Sequence, residues 1–292
     1  MRVDEVLTTH TEGLAPLKRP IMVVALTGWF DASGSATGAL EWMLRERVAP
    51  VVASIDPDPF YDFTQERPEV WFDDDEVRQI RWPINEFRLA RFPGGPHDLV
   101  VLSGVEPHVR WSTYCDCISA LALRLGCELV VTIGANADAV PHSRVPIVVG
   151  SSTNDELVRR LGLSRPQYQG ITGVVGVLQQ RLETLGLPGI SLRVGVPHYL
   201  GNAQHPRSSA ALLHHLEHVL GIPTDHAELA AEIERWQSLH DEAVAEDAKA
   251  SVYVRMLEHQ FDQRSEASLP SGDDLAAELE AFLKDLENPE EN

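Results

Sequence analysis

The sequence predicts an α/β fold, a three-layer sandwich around a mainly parallel sheet, followed by a C-terminal helical extension. Short apolar runs rich in β-branched residues alternate with helical stretches, as in sheets whose parallel strands are connected by helices. These runs lack polar alternation, which indicates strands that are buried on both faces. A break at Gly221-Ile222-Pro223 then separates the alternating part from a purely helical remainder.

The first buried strand is predicted at residues 21–26, between Pro20 and Gly28, with a helix over 35–47 that Asp31 or Ser33 caps. The same reasoning predicts further strands at 50–55, 98–104, 128–135, 146–150 and 190–196. Helices are predicted over 111–125, through Leu161 after a cap at 152–154, from the glycines at 170, 173 and 176 to Leu185, and over 206–220.

The stretch 56–92 is an aromatic, β-rich insertion in the predicted core domain, which spans residues 1–223. Residues 77–82 and 86–92 alternate apolar and polar side chains around a proline, and this pattern predicts a β-hairpin. The contiguous carboxylates of 73–76 favour a solvated turn over a cation site, because calcium loops space their ligands.

Residues 224–292 form the predicted acidic extension, with 19 acidic against 5 basic residues. A capping box of Asp225 and Glu228 predicts its first helix. The apolar face that follows is predicted to contain Leu229, Ile233, Trp236, Leu239 or His240, and then Val252 and Met256. A last helix over 273–287 carries an apolar face, and its interface candidates are Leu275, Leu279, Phe282 and Leu286.

Composition restricts the partners and the compartment. The net charge of −20 argues against nucleic acid, whose phosphates require basic residues. We find no secretory signal and no apolar run long enough to cross a membrane, so we expect no membrane partner. The three cysteines, an odd number, fit the reducing cytoplasm as buried thiols. We therefore expect a cytoplasmic protein.

Polar side chains follow several predicted strands, and the carboxyl ends of parallel strands share one edge of the sheet. We therefore predict one crevice there, with Asp31, Glu106 and His198 as the catalytic candidates. The crevice candidates are Gly28, Trp29, Phe30, Asp31, Glu106, His108, Asn136, His198 and Tyr199. The alternative is that these are the polar loop residues that any α/β fold carries at its strand ends.

No complete catalytic motif accompanies the crevice. The sequence lacks a phosphate-binding P-loop and a G-x-S-x-G nucleophile elbow. His214 and His218 lie four residues apart on a predicted helix, but no third metal ligand is evident. We expect no cofactor and no metal.

Four segments resemble the type-two proteasome assembly chaperone family in order and spacing, and are most similar to its actinobacterial members. They are GWFDASGSATGAL after the first strand, EPHVRW at 106–111, GITGVVGVL at 170–178 and GVPHY at 195–199. The resemblance implies a fold like that of the nucleoside phosphorylases and a homo-oligomer such as a trimer. It also implies a role in proteasome assembly. Eukaryotic relatives end in a hydrophobic residue, Tyr and one more residue, and this signature is absent from this sequence, which ends Glu290-Glu291-Asn292.

Two functional hypotheses follow. The first is a non-catalytic, oligomeric protein-binding or assembly-chaperone-like protein, whose partners are itself and proteasome subunits or another protein. The second is an enzyme on a phosphorylase/hydrolase-like scaffold that acts on a small nucleoside-like or amide substrate.

Overall fold

The computed structural model describes residues 1–200 and 203–267 of the chain. The last predicted helix, 273–287, lies outside the described residues, together with its interface candidates Leu275, Leu279, Phe282 and Leu286. The division into a core domain and an acidic extension at residue 223 stays a prediction.

One eight-stranded sheet forms the centre of the molecule, and a two-stranded sheet stands apart from it. The strands are β1 (Leu7–Thr9), β2 (Ile21–Thr27), β3 (Val51–Ile55), β4 (Glu69–Phe72), β5 (Arg78–Arg81), β6 (Asn85–Ala90), β7 (Leu99–Val105), β8 (Leu129–Asp138), β9 (Val148–Ser151) and β10 (Gly189–Pro197). The order in the large sheet is β1-β3-β6-β7-β2-β8-β10-β9. The four strands β7, β2, β8 and β10 are parallel neighbours, whereas every pairing outside them is antiparallel.

Helices cover both faces of this sheet, which confirms the three layers. They are α1 (Ser35–Leu44), α2 (Trp111–Arg124), α3 (Asp155–Leu161), α4 (Val174–Thr184), α5 (Pro206–Leu220), α6 (Ala230–Glu246) and α7 (Ala248–Ala267). Successive residues of β2 point to opposite faces, as the period of a strand requires. Met22 and Val24 join the core under α2 and α4, whereas Val23 and Ala25 join the core under α1 and α5.

The predicted hairpin of residues 77–82 with 86–92 is wrong. β5 pairs with β4 in the small sheet, whereas β6 lies between β3 and β7 in the large one. Burial explains the difference, because Phe87 and Leu89 of β6 belong to the core and the side chains of β5 are largely exposed. The alternating pattern therefore identified two strands correctly but not their partners.

The C-terminal helices also differ in detail from the prediction. Asp225 has a φ of 55° and its side chain caps nothing, so the predicted capping box does not form. On α6 the apolar stripe continues through His240, because Leu239 is 64% exposed. On α7 the buried residues are Val254 and Leu257, and the predicted apolar residues Val252 and Met256 face solvent.

The cysteines agree with a further expectation. Cys115, Cys117 and Cys127 are free and buried, and burial raises the pKa of each thiol to about 12, so they remain protonated at neutral pH. No helix in the described part of the chain is long and apolar enough to span a membrane.

Candidate functional site

Asp31 lies at the turn between β2 and α1, where its buried carboxylate holds the start of the helix. Its Oδ1 accepts hydrogen bonds from the main-chain N–H groups of Ala36 at 2.7 Å and Thr37 at 3.4 Å. Its Oδ2 accepts one from the Thr37 hydroxyl at 2.5 Å. Burial raises the pKa of Asp31, and these three hydrogen bonds oppose that shift. The prediction that Asp31 caps this helix is confirmed.

Glu106 follows β7 and connects two other loops at the same edge of the sheet. Its Oε2 accepts a hydrogen bond from the Trp29 N–H at 3.0 Å, and its Oε1 accepts one from the Val174 N–H at 3.4 Å. Val174 is the first residue of α4, so the carboxylate also lies at a helix amino end, where negative charge is favoured. Gly28, with a φ of 140°, lies so close that a Cβ there would be 2.8 Å from Oε2. The glycine is therefore required by both backbone conformation and space.

The two aromatic residues of the same turn have different environments. The Phe30 ring packs directly over Gly134 of β8, where no Cβ could fit. Trp29 is 70% exposed, and its ring edge lies beside Gly173, where an added Cβ would be 3.4 Å from the Trp29 Cε3. Tyr168 and Ile171, on the loop before α4, are also largely exposed. The turn thus buries one aromatic ring and presents the other to solvent.

His108 belongs to a separate group. Its Nδ1 accepts a hydrogen bond from the Asp62 N–H at 3.0 Å, and its main-chain N–H donates to the carbonyl of Phe60 at 2.9 Å. These contacts attach the 60–66 loop to the end of β7. His108 therefore holds the 60–66 loop in place.

His198 and Tyr199 follow β10 and meet the C-terminal helices. The His198 Nδ1–H donates to the carbonyl of Asp138 at 2.9 Å, because a carbonyl oxygen can only accept. Its Nε2 then accepts from the hydroxyl of Tyr253, on α7, at 3.0 Å. Both ring nitrogens of His198 are thus used by the fold. Asn136 lies two residues before the end of β8, half-buried and paired in register with Gly195.

The buried His142, one of the polar residues that follow the predicted strands, lies at the centre of this second group. His142 donates from Nε2 to Asp241 of α6 at 3.1 Å, and its Nδ1 accepts from the Tyr199 hydroxyl at 2.6 Å. The Tyr199 oxygen in turn accepts from the His142 main-chain N–H at 2.8 Å. Burial lowers the pKa of His142, and burial raises that of Tyr199 to about 12, so both remain neutral at pH 7.

Ion pairs next to His142 complete the attachment of the extension to the body. Arg144 forms a two-pronged pair with Asp262 of α7, with both N···O distances at 2.9 Å, and also contacts Glu258 at 3.2 Å. Arg207 of α5 reaches Gln237 of α6. These partners lie 30 to 118 residues apart in the chain, and no local sequence pattern predicts such pairs.

The predicted crevice residues therefore fall into separate groups along the sheet edge. Gly28, Trp29 and Glu106 form one group, and His198 and Tyr199 belong to another. Three cavities on the described surface, of about 530, 310 and 340 Å³, have none of the crevice candidates in their walls. The catalytic roles suggested for Asp31, Glu106 and His198 stay predictions, and the geometry shows these side chains engaged by the fold.

The separate β4–β5 sheet forms a protruding hairpin with an apolar face. Cross-strand partners share a face, so Val70, Phe72 and Ile80 lie on the same side together with Arg78. These three apolar residues are between 49% and 65% exposed. On the other face, the Arg81 guanidinium lies 5.7 Å from the Trp71 ring centre. An isolated two-stranded hairpin is marginally stable in water, so such a surface points to a further contact.

Fold and site together define a three-layer α/β protein whose strand-end polar groups hold turns and helices in place. The sequence model of the PAC2 family matches residues 25–244, which is more than half of the chain. The chain belongs to the PAC2 family. The resemblance to the proteasome assembly chaperones, drawn above from four sequence segments, is thereby confirmed.

Solved structures of actinobacterial proteins support this assignment. A PAC2 family protein from Streptomyces avermitilis is 37% identical, with a TM-score of 0.75 over 80% of this chain and 99% of its own. A proteasome-assembly chaperone homologue from Mycobacterium tuberculosis is 33% identical, with a TM-score of 0.73 over 80% of this chain and 99% of its own.

More distant proteins share the fold alone. Pyrococcus furiosus PbaB, an archaeal proteasome activator, is 18% identical, with a TM-score of 0.63 over 81% of this chain and 97% of its own. A search of curated proteins found no match.

Proposed function

We propose that this chain is a non-catalytic, assembly-chaperone-like protein that binds proteasome subunits. Membership of the PAC2 family supports the proposal, as does the 33% identity to a mycobacterial proteasome-assembly chaperone homologue. The enzyme hypothesis gains no support from the geometry, because the main-chain groups that Asp31 and Glu106 hold are those of the fold itself.

The single observation that carries the proposal is the apolar face of the β4–β5 hairpin, Val70, Phe72 and Ile80. The hairpin lies outside the large sheet, so burying this face costs the core nothing. Covering a large apolar side chain contributes about 1.5–3 kcal/mol, and aromatic residues are enriched among the side chains that dominate protein interfaces. Phe72, at 65% exposure, is the largest of the three and the natural centre of the contact.

Self-association forms part of the same proposal. The family resemblance implies a homo-oligomer, with the trimer as the state to test. The acidic body would oppose close packing of copies through long-range repulsion, so the contact between copies must be apolar and local. Light scattering on the purified chain gives the subunit count directly.

The test is binding of the full chain to purified proteasome core subunits from its source organism. Phe72→Asp places a charge in the apolar face, and we expect the dissociation constant to rise about 30-fold, which corresponds to about 2 kcal/mol for a central aromatic residue. Val48→Asp is the matched control, because Val48 is 92% exposed and lies after α1, away from the hairpin.

Three outcomes are informative. If the wild-type chain binds no proteasome subunit, the proposed partner is wrong. If binding survives Phe72→Asp, the hairpin is not the binding surface. If the mass measured by light scattering falls in Phe72→Asp while Val48→Asp keeps the wild-type mass, the hairpin joins copies of this chain.

A further inference from the structure

Helix α7 presents an apolar and basic outer face in an otherwise acidic molecule. Its inner residues Val254 and Leu257 are buried against the body, and Val252 and Met256, four residues apart, are 62% and 45% exposed. Residues at this spacing lie on one face of a helix. The basic residues of α7 are Lys249, Arg255 and Arg264. All three are exposed, and none forms an ion pair with any described residue.

The chain that continues beyond α7 has the complementary character. Residues 268–292 contain eight acidic residues and a single lysine, Lys284. Within them the sequence predicts a helix over 273–287 whose apolar face includes Phe282 and Leu286. An acidic, apolar-faced segment thus follows directly after a helix with an uncovered basic and apolar face.

The length of the connection sets where this segment can reach. Only residues 268–272 lie between α7 and the predicted helix, and helix connections of about 2–8 residues usually join antiparallel neighbours. If the chain returned antiparallel about residue 270, position 282 would fall beside 258 and position 286 beside 254. Phe282 and Leu286 would then be within reach of Met256 and Val252, and Asp285 within reach of Arg255. A helix of 15 residues is about 22 Å long, enough to extend back over α7 as far as Val252.

We propose that residues 273–287 fold back on α7 of the same chain, covering Val252 and Met256 and pairing their carboxylates with its basic residues. The short tether favours this site over the same face of a second copy. A segment held so close has an effective concentration on the order of millimolar. This proposal does not depend on proteasome binding and makes no use of the β4–β5 hairpin.

The test is cross-linking in the full chain with Met256→Cys and Phe282→Cys combined. The native cysteines are buried, so the introduced thiols are the ones that react. With a short bis-maleimide at about 10 µM protein, we expect a link within one chain, formed about 100-fold faster than any link between chains. An equimolar mixture of the two single-cysteine variants should give no linked dimer.

The control pair is Val48→Cys with Phe282→Cys. Val48 is 92% exposed, more than any other large apolar residue in the part of the chain that the structure describes. It follows α1, which begins at the carboxyl edge of the sheet, so Val48 lies near the opposite edge. We expect the Met256 pair to link at least about 10-fold faster than this control, because only the docked partner shares the local effective concentration. Equal rates for both pairs would overturn the proposal, and linked dimers in the mixture would assign the α7 face to a second copy.

A charge variant provides a second readout. Arg255→Glu puts like charges together in the proposed contact, so the linking rate of the Met256 and Phe282 pair should fall several-fold and recover at high salt, which screens exposed charges. A rate unchanged by Arg255→Glu would refute the proposed charge pairing.

Discussion

Replacing Asp31 separates a capping role from a catalytic one, since the residue was the leading catalytic candidate and the structure gives it three hydrogen bonds. Asp31→Ala removes the acceptor of the Ala36 N–H and of the Thr37 hydroxyl, both from buried residues. Asp31→Asn keeps an acceptor oxygen for the Ala36 N–H, and its amide can donate to the Thr37 oxygen. The two variants therefore differ in hydrogen bonding while both remove the charge.

The size of the effect follows from these contacts. Loss of a helix cap costs about 1 kcal/mol, and leaving a buried hydroxyl without its acceptor costs about 1–3 kcal/mol. Part of this loss of stability is offset, because the substitution also removes a buried carboxylate whose desolvation raises the pKa of Asp31. We expect Asp31→Ala to lower the free energy of unfolding by about 2–3 kcal/mol and the melting temperature by about 3–5 °C.

The assay is thermal and urea unfolding of both variants at pH 7, monitored by circular dichroism. Asp31→Asn should lose less than about 1 kcal/mol, because the hydrogen-bond geometry survives. Because the folded pKa of Asp31 is raised, its ionisation in the native state costs stability as the pH rises above about 3.8. Asp31→Asn should therefore fall less in stability than the wild type over that rise. Equal melting of Asp31→Ala and the wild type would refute the capping argument.

Two further predictions concern the Gly28 turn and the buried His205. Gly28→Ala should lower the free energy of unfolding in urea by about 2 kcal/mol or more, because the residue has a φ of 140° and the added Cβ would lie 2.8 Å from the Glu106 carboxylate. Adding Glu106→Gly should recover part of that loss, and strictly additive effects of the two substitutions would contradict the proposed clash. Burial lowers the pKa of His205 to about 3. Below about pH 6.5 the unfolded chain therefore binds a proton at His205 that the folded chain does not bind, and the free energy of unfolding falls as the pH is lowered. Between pH 7 and pH 4.5 this term is about 2–3 kcal/mol, and His205→Gln should remove it; an unchanged pH profile in urea unfolding would exclude His205 as its source.

The parallel centre of the fold could be predicted from the sequence because each of its strands is buried on both faces. Such strands, like 21–27 and 99–105, appear as continuous apolar runs with β-branched residues, and this signal is local. The strand pairing of residues 77–92 could not be predicted in the same way. Alternation identifies a strand with two different faces but not its neighbour. β6 pairs with β3, from an earlier part of the chain, and with β7, the strand that follows it, and not with β5.

The candidate site shows the same limit. Its position could be predicted because the carboxyl ends of parallel strands lie at the same edge of a sheet. The hydrogen bond between His142 and Asp241 could not, because it joins residues 99 apart in the chain. The apolar face of α7 was also placed wrongly, because helical spacing allows more than one stripe and only packing selects Val254 and Leu257 over Val252 and Met256.

The carboxylates at this edge accept hydrogen bonds from main-chain N–H groups where the chain passes from a loop into a helix. Each helix that starts there has main-chain N–H groups without an intrahelical acceptor, and a buried turn cannot leave them to water. Asp31 satisfies those of α1 from its own loop, whereas Glu106, from the loop after β7, holds both the Trp29 turn and the first N–H of α4.

Glu106 thereby connects its own loop, after β7, with the turn between β2 and α1 and with the end of the α3–α4 loop. Trp29 is 70% exposed at this edge, and it follows Gly28, where a Cβ would clash with the Glu106 side chain. The polar residues that suggested an active site thus bind main-chain groups of the turns and helix starts at this edge. Each such hydrogen bond satisfies a donor that would otherwise have no partner within its helix or turn.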